Sequence, residues 1–79
     1  MAAIDDVELH GHLEDGLRTI IIRSKAKDRS IIATVFVGGA CEESTIDFTL
    51  VPLGESQVVR EGPNDTQCHY QIESARYVT

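Results

Sequence analysis

Tryptophan is absent from this 79-residue chain, and the only aromatic residues are Phe36, Phe48, Tyr70 and Tyr77. The core must therefore rest on Ile, Val and Leu. Sugar binding, which usually needs an exposed aromatic platform, has little to use. Basic residues are scarce, 7 against 13 acidic, for a net charge of -6. A negative protein lacks the positive field that non-specific binding to DNA or to anionic membranes requires. No stretch approaches the roughly 20 apolar residues of a membrane helix. The opening "MAAIDDVELH" has neither a basic leader nor an apolar run. Repeats, low-complexity tracts and linkers are also missing. The expectation is one soluble domain over 1-79, with residues 1-6 a loose terminus.

What is present points to strands. Apolar residues make up 42% and charged residues 25%, ordinary for a folded domain. "VELHGHL" alternates, with Val7, Leu9 and Leu13 on one face and Glu8, His10 and His12 on the other. Asp15-Gly16 is a tight-turn signal, because glycine tolerates positive φ. "LRTIIIR" and "IIATVFV" are apolar on both faces and read as central strands. The polar "SKAKDRS" between them reads as a turn. "STIDFTLV" places Ile46, Phe48 and Leu50 inward, and "PLGE" turns the chain, with Pro52 ending the strand and Gly54 supplying freedom. "SQVVRE", a turn at "GPND" and "QCHYQIESARYV" complete the pattern. Helix signals are poor.

Six short strands at this spacing predict an all-β fold, a small antiparallel six-stranded β-sandwich, either immunoglobulin-like or barrel-like. The strand, Pro-Leu-Gly-Glu, strand rhythm of "STIDFTLVPLGESQVVRE" resembles immunoglobulin-like modules. That resemblance implies a sandwich and carries no functional residue across. The buried tryptophan of true immunoglobulin domains is missing.

Cys41 and Cys68 are the only cysteines. If the last three strands form a meander, the fourth and sixth run the same way and both cysteines lie at one end. A disulfide between them is the expectation. It would close a loop of roughly 28 residues, worth about 3.5 kcal/mol on the chain-entropy account. With that bridge, a mature secreted chain is favoured over a cytosolic one.

Catalytic constellations are hard to assemble. Cys68 and His69 are neighbours on a strand and point to opposite faces, so they are poorly placed to share a proton. The serines lack a nucleophile-elbow context, and the paired carboxylates Asp5-Asp6 and Glu42-Glu43 fall in loops. Gly38-Gly39 has no phosphate-cradle sequence after it. His10 and His12 share a strand face and could hold Zn²⁺ or Cu²⁺ with a third ligand from His69, Glu8 or Glu14, yet solvated surface histidines explain them as well. No cofactor is implied and no enzyme is expected.

What remains is surface. Arg23, Lys25, Lys27 and Arg29 place four of the seven basic residues in one short window, suited to an acidic partner. Arg76 and Tyr77 are residue types that anchor interfaces. The expected function is a non-enzymatic protein-binding module acting as an inhibitor, effector or accessory factor. The alternatives are a metal- or carbohydrate-binding domain using His10 and His12, or a structural subunit whose edge strands pair with copies of itself.

Overall fold

The computed structural model of the protein describes residues 2–61 and 68–78. After a 3-10 helix at Ala3–Asp6 come β1 (Val7–Glu14), β2 (Leu17–Ser24), β3 (Ile31–Gly39), β4 (Ser44–Leu50), β5 (Glu55–Glu61) and β6 (Cys68–Tyr77). The strands form two three-stranded antiparallel sheets, ordered β1-β2-β5 and β4-β3-β6, not closed into a barrel. The turn expected at 62-65 lies outside the described residues.

The two strands read as central occupy the middle of their sheets. Each sends alternate residues into the shared core: Ile20 and Ile22 from β2, Ile31, Ala33 and Val35 from β3. Val7, Ala26 and Leu50 complete the buried cluster, and Leu9, Phe48, Val58, Tyr70, Ile72 and Tyr77 pack around it. This is an aliphatic core edged by rings.

The last three strands do not form a meander. β5 leaves β4 and pairs with β2 in the other sheet, while β3 lies between β4 and β6. The turn after β4 explains the crossing. Leu53 donates its backbone N–H to the Ala26 carbonyl at 2.9 Å, and the Gly54 carbonyl accepts from Ser24 N–H at 2.8 Å. The chain is thus captured beside the end of β2 before β5 begins. β4 and β6 are both antiparallel to β3 and so run alike. Cys41 and Cys68 still meet at one end, by a different route. They form a disulfide with Cα atoms 5.2 Å apart, inside the usual range.

Two β-bulges keep the apolar residues inward. On β6, Val35 pairs with Ile72 and Thr34 with Ser74, which leaves Glu73 as the extra residue. Cys68, Tyr70 and Ile72 before it, and Ala75 and Tyr77 after it, therefore share the core face. On β5 the register shift falls at Val58, between the partners of Ile20 and Ile21.

Two inward assignments change. Leu13 is 73% exposed, because it sits at the tip of the β1–β2 hairpin beyond the core. Ile46 is 38% exposed, because β4 is an edge strand, and burial along it rises only towards Leu50.

Candidate functional site: the loop end of the sandwich

Ser24 closes β2 with its side chain buried, and its hydroxyl oxygen accepts the backbone N–H of Ala26 at 3.1 Å. This local bond turns the chain inward, so Ala26 fills the core while Lys25, Lys27, Asp28 and Arg29 face solvent. The loop is held at further points. Lys25 N–H donates to the Asp6 carbonyl at 2.7 Å, Ala26 and Ser24 bond the β4–β5 turn, and Val78 N–H donates to the Ser30 carbonyl at 2.9 Å. A polar loop that composition alone would call loose is thus fixed to three other parts of the chain.

The adjoining turn is tight. Gly54 N–H donates to the Val51 carbonyl at 2.8 Å. Leu53, the third turn residue, has φ 58°, so Pro52 and Leu53 take the type II pattern that usually places glycine where Leu53 stands. Gly54 serves close approach rather than unusual φ: a Cβ there would lie 2.6 Å from Val51 Cγ2. Val51 and Leu53 are 62% and 61% exposed. Ile4 and Val78, on the segments tied to the same loop, are exposed as well.

A clamp joins the first and last elements. The Tyr77 hydroxyl donates to the Asp6 carboxylate, and the Arg29 guanidinium lies over the Tyr77 ring, 3.9 Å from its centroid. The hydrogen bond to Asp6 raises the Tyr77 pKa above its ordinary value, with desolvation and the Asp6 charge adding and Arg29 opposing. Ala3–Asp6, read from the sequence as part of a loose terminus, forms a helical turn with Ala3 buried.

Of the six sequence-predicted binding residues, the fold brings Lys25, Lys27, Arg29 and Tyr77 together. Arg23 and Arg76 flank them on the outer faces of opposite sheets. Arg23 donates through Nε and Nη2 to Glu55 Oε2, both at 3.1 Å. Sequence reasoning missed Ile4, Val51, Leu53 and Val78. In the sequence Val51 reads as the end of the strand "STIDFTLV" and Leu53 as part of the turn "PLGE", while Ile4 and Val78 lie near the two ends.

His10 and His69 both border a cleft between β1, β2 and β6, and His12 is not among its lining residues. His10 and His12 lie on the outer face of the β1-β2-β5 sheet, and Glu8 Oε1 is 2.8 Å from His10 Nε2. That hydrogen bond holds the Glu8 carboxyl below its ordinary value, with the His10, Lys25 and Arg23 charges contributing against desolvation. His69 is on β6 between the inward Cys68 and Tyr70, so it faces outward from the other sheet. No group of three candidate metal ligands occurs among the described residues.

The cleft between β1, β2 and β6 has a volume of about 220 Å³ and is walled by Leu9, Gly11, Arg18, Ile20, Cys68 and Tyr70 and bordered by His10 and His69. Arg18 Nη2 donates to the Cys68 carbonyl at 3.3 Å, and its guanidinium is 5.8 Å from the Tyr70 ring centroid. Gly11 follows Val7 and Leu9 on the inward face, and its missing side chain leaves the space.

No protein-family model, curated protein or solved structure matches this chain.

Proposed function

We propose that the protein is a non-enzymatic binding module that docks on another protein, as an inhibitor, effector or accessory factor, through its loop end. The observation that carries this reading is Leu53. A leucine in the left-handed region costs about 1–2 kcal/mol relative to a favoured conformation. Here it is also 61% exposed, so its side chain returns little burial within the chain. Strain kept in an exposed apolar residue suits a contact made with something else. Beside it stand Val51 and the cations of Lys25, Lys27 and Arg29.

Charge supports the same end. Arg23, Lys25, Lys27, Arg29 and Arg76 are matched by five acidic residues in neighbouring segments, Asp5, Asp6, Glu8, Asp28 and Glu55. The net charge of -6 therefore belongs to the rest of the chain. A partner presenting carboxylates around an apolar patch would meet Lys25, Lys27 and Leu53 while avoiding the acidic remainder.

The test is affinity capture with the protein and two variants. Lys25→Glu/Lys27→Glu/Leu53→Asp should lose the partner. Glu42→Gln/Glu43→Gln, at the cysteine end, should keep it. Equal retention of the same partner by both variants would discard the loop end as the binding surface.

A further inference from the structure

We propose that β4 is a docking edge that pairs antiparallel with β4 of a second copy of this chain. This surface is distinct from the loop end. The argument begins with the four sheet edges, β1, β5, β4 and β6. An exposed edge offers a row of backbone donors and acceptors, and proteins blunt such edges with charges, bulges, prolines or covering segments. β6 carries the bulge at Glu73 and packs against the 3-10 helix. β5 carries its own register shift and the charged Glu55. β1 has the charged Glu8, a glycine at its middle, and both β6 and the 3-10 helix against it.

β4 has neither bulge nor proline, and of the charges that blunt an edge it carries one. Its register with β3 is unbroken over all seven residues, Ser44 to Leu50. It contains no proline, lysine or arginine. Its single charge, Asp47, accepts a hydrogen bond from Thr34 Oγ1 at 2.7 Å, on the outer face and directed towards β3. No strand among the described residues pairs with its other side. Ile46, on the core-facing side, is left 38% exposed there.

A second copy is the occupant that this strand fits. A two-fold axis at Ile46 would set Ile46 against its own counterpart, Asp47 against Thr45 and Phe48 against Ser44. Inward residues face inward residues, and no like charges stand opposite. An axis at Asp47 would oppose two carboxylates and is disfavoured. The result is one continuous six-stranded sheet with Ile46 covered. The -6 on each chain opposes association. At physiological ionic strength, however, the screening length is about 8 Å, shorter than the separation of most charges on two neighbouring domains. Association should therefore strengthen as salt is added.

The experiment is sedimentation equilibrium of the purified chain across concentration and salt. It is paired with Ile46→Lys, whose fold is checked by its thermal transition. The expected result is a mass that doubles with concentration, more readily at high salt, and an Ile46→Lys variant that stays monomeric where the wild type is dimeric. Should that variant fail to fold, intermolecular nuclear Overhauser effects between Ile46 methyl groups in mixed-label samples give the same reading. A wild type monomeric under every condition overturns the proposal. So does a dimer that Ile46→Lys leaves intact.

Discussion

Two turns at opposite ends of the sandwich hold a non-glycine residue at nearly the same φ, 53° at Asp15 and 58° at Leu53. The first is well matched to its conformation. Asp15 and Gly16 both have positive φ, as a two-residue type I′ hairpin demands, and Asp and Gly are the residues that tolerate it. The second is mismatched, since leucine has no local means of offsetting the left-handed region. The matched turn simply joins β1 to β2. The mismatched one lies beside the basic loop, among exposed apolar residues. The ends also differ in how they are fastened. One is closed by the Cys41–Cys68 disulfide, the other by backbone hydrogen bonds and the Asp6–Tyr77–Arg29 clamp. A covalent staple ignores pH and salt, whereas a polar clamp responds to both.

Breaking the covalent end should have the largest effect. Cys41→Ala/Cys68→Ala should lower unfolding stability by about 3.5 kcal/mol on the chain-entropy account, read as a reduced urea midpoint. A smaller loss is expected from Tyr77→Phe, together with a change in pH response. The native state holds the Tyr77 proton more tightly than the unfolded chain does. The stabilisation is therefore complete below the ordinary tyrosine value near 10 and fades as pH rises through the higher native value. Wild-type stability should fall across that alkaline window, and the part due to this hydrogen bond should be missing in Tyr77→Phe.

The comparison of turns is sharpened by Leu53→Asn. Asparagine accepts the left-handed region, so the variant should gain about 1 kcal/mol while binding the proposed partner more weakly. A gain in stability with undiminished binding would separate the strain from function. The smallest effect belongs to the cleft. Gly11 lies in a strand without positive φ, and a Cβ there would meet only Ile20 Cδ1, at 3.6 Å. Gly11→Ala should stabilise by about 0.5 kcal/mol, read as a small rise in melting temperature.

Local chemistry was legible in the sequence, and non-local pairing was not. Asp15-Gly16 announced its hairpin, and "IIATVFV", apolar on both faces, announced a central strand. The destination of β5 was hidden, because an alternating strand fits either sheet and the choice rests on hydrogen bonds between the turn and Ser24 and Ala26. The change of parity in β6 from Ile72 to Ala75 carried a trace of the bulge at Glu73. Within the candidate site the cations were visible as a run. Ile4, Val51, Leu53 and Val78 are scattered along the chain, and no local pattern joins them. Pro-Leu-Gly also pointed to the wrong residue, since positive φ would ordinarily be assigned to the glycine.

The clamp between Asp6 and Tyr77 has a consequence for handling the molecule. It holds the segments leading to both chain termini at the loop end. An affinity tag or fused domain on either terminus would emerge beside Lys25, Lys27 and Leu53 and could shade them. A label inserted at the Asp15-Gly16 hairpin would sit at the far end, leaving the loop surface clear.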